Sequence, residues 1–165
     1  MRKWVAFALV LFFDFSTKYW VIHNLPLFQS YGGYPFGGIG VFQTPLITLS
    51  IVHATNTGIA WGLFSAFPQL WLFLRIAITG GIVVYLLFFR PPKWAQLPLV
   101  LIVAGALGNI LDYFLYGHVI DMIYLILYRY SYPIFNIADS AIFLSVIYLF
   151  INSYRKGSNA SSSRR

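Results

Sequence analysis

Four long apolar runs dominate the chain, and shorter stretches rich in turn residues or polar residues separate them. The runs lie at about residues 4–22, 68–89, 96–115 and 134–152. About 20 helical residues are enough to cross the ~30 Å hydrocarbon core of a bilayer. The pattern therefore predicts an all-α membrane protein, with four transmembrane helices in a single domain over residues 1–155.

The distribution of basic residues predicts the orientation of these helices. In a four-span arrangement eight of the 11 Lys and Arg residues fall on one side of the membrane, namely Arg2, Lys3, Arg90, Lys93, Arg155, Lys156, Arg164 and Arg165. Short loops that carry Lys and Arg remain in the cytoplasm. Both termini are thus predicted to be cytoplasmic, and residues 156–165 form a disordered cytoplasmic tail because they have nothing to bury.

Two shorter segments lie between the runs. PLITLSIVH, residues 45–53, alternates apolar with small polar side chains, and this period of two predicts a short strand in a small extracytoplasmic β element. VIDMIYLILY, residues 119–128, is apolar throughout but too short to span a bilayer. It is predicted to be an interfacial or re-entrant piece.

Composition narrows the class of protein. Hydrophobic residues make up 59% of the chain and charged residues only 9%, far below the charged fraction of ordinary soluble domains. The absence of cysteine excludes disulfides, thiolate metal sites and a cysteine nucleophile. A net charge of +7 does not indicate nucleic-acid binding, because the basic residues flank apolar runs and form no stripe.

The candidate chemistry rests on the acidic residues, of which there are only four, all of them aspartates. In the predicted topology all four lie toward the outer half of the membrane or its outer face. Ionisable residues within a bilayer are costly and usually face a bundle interior or a wet cavity. The four carboxylates, Asp14, Asp112, Asp121 and Asp139, are therefore expected to belong to one site.

Neighbouring residues divide these aspartates into two kinds. Asp14 and Lys18 are spaced i, i+4, which suits an ion pair on one helix. Asp112 follows Asn109 on the same face, after small residues that permit close helix approach, and this favours a polar contact between spans. Asp121 and Asp139 have no evident permanent counter-charge, so two such carboxylates meeting at the outer interface would share one proton.

These residues leave three functions open. A proton-sharing pair can activate water for peptide hydrolysis without a metal or other cofactor. A proton relay in a small transporter and a purely structural polar network remain alternatives. A metal site that combines an aspartate with His23, His53 or His118 is disfavoured, because no two of the histidines have ligand spacing.

The order of five short motifs resembles lipoprotein signal peptidase, the signal peptidase II family of bacterial inner-membrane aspartic peptidases. DFSTK begins at Asp14, NTGIAW at Asn56, GNILD at Gly108, VIDMI at Val119 and FNIAD at Phe135. They resemble the family's D-x-x-x-K, N-x-G-x-A-[FW], G-N-x-x-D, V-x-D and F-N-x-A-D elements. One departure is Tyr113, which stands where the family usually has arginine.

The resemblance implies roles for particular residues. Asp121 and Asp139 would be the catalytic pair, in agreement with the pair left without counter-charge. Residues that would shape the site or hold the substrate are Asn56, Gly58, Asn109, Asp112, Asn136 and Ala138, supported by Asp14 and Lys18. The implied function is to remove signal peptides from prolipoproteins that carry diacylglyceryl-cysteine. The protein is expected to act as a monomer among membrane lipids, in the inner membrane, with its active site on the periplasmic side.

Overall fold

Four helices form the membrane-spanning part of the computed structural model, which describes residues 1–29, 32–57 and 67–162. They are α1 (Arg2–Asn24), α2 (Pro68–Phe88), α3 (Lys93–Tyr116) and α4 (Ile137–Ser162). Each is long and apolar enough to cross a membrane. The four predicted spans are thereby confirmed.

Proline and glycine set several helix boundaries. Pro91 and Pro92 separate α2 from α3, since a proline disfavours helical backbone in the residue before it. Gly117 ends α3 with a φ of 79°, a left-handed conformation that glycine adopts without a steric cost. This sharp end lets the chain turn directly from the last turn of α3 into a strand.

Helix α3 lies at the centre of the bundle and contacts the other three helices. Two of its glycines permit this closeness. A Cβ at Gly105 would lie 2.5 Å from the carbonyl oxygen of Ala138 on α4, and one at Gly108 would lie 2.6 Å from a carboxylate oxygen of Asp14 on α1. The expected role of small residues in close helix approach is therefore confirmed.

A four-stranded antiparallel sheet joins the end of the bundle where α1 and α3 finish and α4 begins. Its strands, in sheet order, are β1 (Ile39–Gln43), β2 (Ile47–Asn56), β3 (Val119–Leu127) and β4 (Tyr130–Ser131). The predicted strand over residues 45–53 corresponds to β2. The small β element is thus present, although more of the chain contributes to it than one strand.

The sequence predicts an interfacial or re-entrant piece over residues 119–128, and it does not predict that residues 119–127 form strand β3 at the centre of the sheet. Strand β3 pairs with β2 through Leu49↔Leu125 and Ala54↔Asp121. Its sequence shows no alternation since both of its faces are partly covered. On one face the rings of Phe28 and Phe36 lie 5.1 and 5.0 Å from that of Tyr124. The sequence of a strand that is covered on both faces is apolar at successive positions and does not alternate.

Helix α4 differs at both ends from the predicted span of residues 134–152. It begins at Ile137, after an extended stretch in which Phe135 bonds to Ile123 of β3. At the other end its backbone remains helical through Ser162, whereas disorder was predicted from residue 156. Extending an existing helix by one residue costs far less than nucleating one, so a polar segment can continue a helix that has already formed.

Candidate active site

The start of α4 is a reciprocal cap that fixes Asp139. The side-chain oxygen of Asn136 accepts a hydrogen bond from the backbone N–H of Asp139 at 2.8 Å. In return a carboxylate oxygen of Asp139 accepts from the backbone N–H of Asn136 at 3.2 Å. This is the capping-box geometry, here with Asn and Asp as its two members. It places Asp139 in the first helical turn, where the helix dipole favours negative charge.

Strand β3 brings Asp121 to the same place. Its side chain is only 2% exposed. One carboxylate oxygen accepts from the amide of Asn136 at 2.8 Å, and the other accepts from the amide of Asn56 on β2 at 3.1 Å. Asn136 therefore contacts both Asp121 and Asp139, and it joins two acids that are 18 residues apart in the sequence.

Beneath this pair lies a buried ionic cluster built on Lys18. The Lys18 ammonium is 2.6 Å from Asp14 and 2.7 Å from Asp112. Asp14 and Lys18 are each 1% exposed and Asp112 is 3% exposed. The predicted Asp14–Lys18 ion pair is confirmed, and the structure adds Asp112 from α3 as a second partner of the same cation.

The ionic cluster also holds the two elements that carry the unpaired acids. Asp112 accepts from the backbone N–H of Ile120, next to Asp121, at 3.2 Å. Asp14 accepts from the backbone N–H of Ala138, next to Asp139, at 2.9 Å. Each aspartate of the cluster thus fixes the backbone beside one aspartate of the pair.

Asn109 connects the cluster to the pair. Its side-chain oxygen accepts from Lys18 at 3.1 Å and from the amide of Asn136 at 3.0 Å, and its own amide donates to Asp139 at 2.8 Å. Because an ammonium can only donate, the oxygen of Asn109 must face Lys18 and its NH₂ must face Asp139.

The same reasoning fixes the orientation of Asn136. Its oxygen is bound by the N–H of Asp139, so its NH₂ faces Asp121. The two acids therefore always meet hydrogen-bond donors, which is the environment in which one of them can remain ionised.

Burial and charge together make one proton in this pair hard to remove. Burial raises the pKa of Asp121, and the nearby charge of Asp139 raises it further, to about 7. The value lies far above the ordinary 3.8 of an aspartate. A pair that keeps one proton near neutral pH has one acid and one base available at once.

An apolar cavity of about 520 Å³ opens beside Asp139. Its walls include Leu125 and Leu127 of β3 and Phe143 and Leu144 of α4. Within the described ranges no group of three or more His or Asp residues could hold a metal ion. The arrangement therefore offers a buried carboxylate pair at the edge of a space suited to apolar ligand groups.

Comparison with known families gives an assignment for this arrangement. The sequence model described as "Signal peptidase (SPase) II" matches residues 6–155. The chain belongs to the signal peptidase II family. The matched residues include most of α1 and α4, the whole of α3 and all four strands of the sheet.

Individual relatives agree with the family assignment. The chain is 35% identical over 159 residues to a lipoprotein signal peptidase of Nostoc punctiforme, covering 93% of this chain and 89% of the relative. It is 35% identical over 156 residues to the lipoprotein signal peptidase of Bacillus subtilis, covering 92% of each chain. The family is one of proteases, so the chain is a hydrolase, and its four apolar helices make it a multi-pass membrane protein.

Solved structures support the fold. A bacterial membrane enzyme determined by the in meso method at 2.3 Å resolution superposes with a TM-score of 0.78 at 30% identity, covering 96% of this chain and 90% of that chain. A second, determined at 1.9 Å resolution, gives a TM-score of 0.72, also at 30% identity, and covers 92% of this chain and 91% of that chain. The helical bundle with its sheet is therefore the architecture of known membrane enzymes.

The structure brings together most of the residues singled out from the sequence. The hydrogen-bonded set consists of Asp14, Lys18, Asn56, Asn109, Asp112, Asp121, Asn136, Ala138 and Asp139. Gly58 lies outside the described residues. Their roles in catalysis stay predictions.

Sequence reasoning missed three features of the site. The bond from Lys18 to Asp112 joins two helices, and no spacing within one helix could indicate it. The cavity wall on β3 was missed because that segment was not recognised as a strand. The cap of α4 was readable in principle, since a capping residue followed three positions later by an acid before an apolar run is a helix-start signal.

Proposed function

We propose that this protein is an aspartic endopeptidase that removes the signal peptide from prolipoproteins bearing diacylglyceryl-cysteine. The observation that carries the proposal is the contact of Asn136 with both Asp121 and Asp139. Asn136 holds one carboxylate with its side-chain amide and the other with its backbone N–H, and two carboxylates held this close can share a single proton. Membership of the signal peptidase II family supports the substrate class, since its curated relatives are lipoprotein signal peptidases.

Peptide hydrolysis by this pair needs only water. Before reaction Asp121 holds the shared proton and Asp139 is charged. Asp139 takes a proton from water as its oxygen attacks the scissile carbonyl carbon, and Asp121 donates its proton to the carbonyl oxygen. The resulting diol collapses when the leaving nitrogen gains a proton from Asp139, the C–N bond breaks and one hydroxyl of the diol returns a proton to Asp121. The products are the signal-peptide carboxylate and a free amino group on the lipid-modified cysteine.

The apolar cavity supports a lipid-bearing substrate. Its leucine and phenylalanine walls lie beside Asp139, so acyl chains or an apolar peptide segment could be buried next to the scissile bond. The buried Lys18 cluster provides rigid support, since a catalytic group must be held in one orientation.

The decisive test is cleavage of a diacylglyceryl-modified precursor by purified protein in detergent, with the wild type beside Asp121→Asn and Asp139→Asn. Both variants are expected to fold and to lose cleavage by a factor of about 10³ or more, since each removes either the acid or the base. Normal cleavage by either variant would exclude the pair. A requirement for added zinc, abolished by a chelator, would instead indicate a metallopeptidase.

We propose that the site faces the periplasm and that both termini lie in the cytoplasm of a cell with an inner membrane. The cluster of basic residues at the opposite end of the bundle supports this orientation. A reporter fused after Arg165 should be active only in the cytoplasm, and periplasmic activity would reverse the topology. We further propose a monomer in contact with membrane lipids, to be checked by mass in detergent.

A further inference from the structure

A second, chemically different site lies at the end of the bundle far from the carboxylate pair. Here a cavity of about 420 Å³ is lined by Arg2 and Lys3 of α1 and by Lys93, Gln96 and Leu97 of α3. Lys3 donates a hydrogen bond to Gln96 at 2.9 Å, which links the two helices across the cavity. One ammonium of the cavity is thereby held in place.

The charge of this cavity is uncompensated by any acidic side chain. The chain has only four acidic residues, and all four belong to the network around Lys18 and Asp121. The first turn of α3 also contains no acidic residue, so the positive end of its dipole adds to the basic charge. The cavity therefore favours an anion.

An apolar groove of about 410 Å³ adjoins the basic cavity, because Leu97 lines both. The groove continues along Val10 of α1, Leu101 of α3 and Leu144 of α4. Its rim carries another cation, since the Lys156 ammonium lies 4.7 Å from the ring of Trp94, which is part of the wall.

The spacing of these residues matches a molecule with an anionic head and an apolar tail. Lys3 and Val10 are seven residues apart on α1, and Lys93 and Leu101 are eight apart on α3. At 1.5 Å per residue the charged positions lie about 10 to 12 Å from the apolar ones along each helix. That distance is similar to the distance from the phosphate of a lipid to the part of its acyl chain that lies in the hydrocarbon region.

We propose that the basic cavity and the apolar groove together bind one anionic phospholipid. Its phosphate would lie against Lys3 and Lys93, and one acyl chain would lie along Leu97 and Leu101. Basic pockets between membrane helices bind anionic lipid head groups in this manner. The positive-inside pattern explains on which side these residues lie, but it does not require a cavity between them or a groove that continues from it.

The charge of the cavity also argues against a second apolar helix as the occupant. A signal peptide carries its positive charge at the start, next to its apolar segment. That basic segment would be repelled by Arg2, Lys3 and Lys93. An anionic lipid has the opposite charge at the same position, and it is favoured for that reason. This inference does not depend on the proposed peptidase activity.

Native mass spectrometry of the delipidated full chain in neutral detergent tests the site. The probes are phosphatidylglycerol and phosphatidylcholine with identical acyl chains. One saturable phosphatidylglycerol adduct is expected, with phosphatidylcholine bound at least about tenfold more weakly. Equal affinity for the two lipids would overturn the proposal.

A matched pair of double variants locates the binding. Lys3→Gln with Lys93→Gln should weaken phosphatidylglycerol binding about 25-fold, since each lysine near an anionic head group contributes roughly fivefold. Arg90→Gln with Arg155→Gln removes the same charge outside the cavity. It should change affinity by no more than about twofold, because neither arginine lines the cavity or the groove and exposed charges are screened by salt. An equal loss of phosphatidylglycerol affinity in the two double variants would show that the lipid does not bind in this cavity.

Two further arms separate a lipid from a free anion. Inorganic phosphate at millimolar concentration should fail to displace phosphatidylglycerol, and full displacement would indicate an anion site without a lipid. Leu101→Trp fills the groove and should weaken phosphatidylglycerol binding, and unchanged affinity would remove the groove from the proposal. If the double lysine variant does not fold, phosphatidylglycerol binding to the wild type is measured at increasing salt concentration. Binding that does not weaken with salt would contradict a contact between the lysines and the phosphate.

Discussion

Two pairs of aspartates lie side by side in this protein and have opposite electrostatic settings. Asp14 and Asp112 share the ammonium of Lys18, at 2.6 and 2.7 Å. Asp121 and Asp139 contact only amide and backbone donors in the hydrogen bonds described above. In the first pair a fixed cation balances one of the two negative charges, whereas the second pair must share a proton to lower its charge.

This difference separates structural support from chemistry within one network. A buried carboxylate that is paired with a cation is costly to disturb, because removing the cation leaves an uncompensated buried charge. A pair without a cation is costly to bury, yet it can exchange a proton. The paired acids hold the backbone next to the unpaired ones, through Ile120 and Ala138, so the stable pair positions the reactive pair.

Removing the cation should have the largest effect on stability. Lys18→Met leaves two carboxylates buried without compensation, and such a loss costs about 3 to 5 kcal/mol. The variant is expected to accumulate poorly and to unfold at a markedly lower temperature in detergent, as measured by thermal denaturation.

A neutral cluster is the control for this variant. Asp14→Asn and Asp112→Asn introduced together with Lys18→Met remove the buried charges, and they should recover much of the lost stability. If Lys18→Met alone melts like the wild type, the cation does not stabilise the paired acids.

The link between the two pairs should affect turnover more than folding. Asn109→Leu removes the donor to Asp139 and the acceptor of Lys18, and a lost hydrogen bond to a reacting group lowers kcat by about 10². KM should change little, because Asn109 lies behind the acids and is only 6% exposed. Steady-state cleavage of a modified precursor separates the two constants.

Thr79→Ala is the matched control for Asn109→Leu. Thr79 is also 6% exposed, but its hydroxyl donates within its own helix, to the carbonyl of Arg75. Normal turnover is expected from it. A rise in KM with unchanged kcat in Asn109→Leu would assign Asn109 to substrate binding.

The ion pair of Asp14 with Lys18 could be predicted from the sequence more completely than the β-sheet could. The spacing of Asp14 and Lys18 lies within one helix, where the 3.6-residue period fixes which side chains meet. The link from Asp121 to Asp139 through Asn136 depends on a strand and a helix cap that are separate in sequence. Strand β3 showed no alternation because both its faces are covered. Local spacing was therefore sufficient for the ion pair, while the meeting of the unpaired acids rested on topology and family resemblance.

Close packing between α1 and α3 also holds the paired acids in place, and a larger residue at Gly108 should weaken it. Gly108→Ala would place a Cβ 2.6 Å from the carboxylate of Asp14, so the ionic cluster must shift. Overpacking of this kind costs about 1 to 3 kcal/mol. Gly80→Ala on α2 is the control, since nothing lies within 4 Å of a Cβ there. Equal melting temperatures for the two variants would show that α1 can move away from α3 without cost.

A change of pH should have the smallest effect, and it should act on the unpaired acids through their shared proton. The pKa of Asp121 is raised to about 7 by burial and by the charge of Asp139. Above that pH both acids are charged, so kcat/KM should fall, by at most about tenfold per pH unit. It should also fall in acid, once both carboxyls carry a proton.

Stability should respond to the same proton. Because the folded-state pKa of Asp121 is raised above its ordinary 3.8, the native protein binds more protons than the unfolded chain between about pH 4 and 7. This contribution to stability is fully present below about pH 4 and is lost progressively as the pH rises to about 7. Asp121→Asn cannot titrate, so its melting temperature should fall less than that of the wild type between about pH 4 and 7. Parallel curves for the two proteins would mean that Asp121 does not hold the proton.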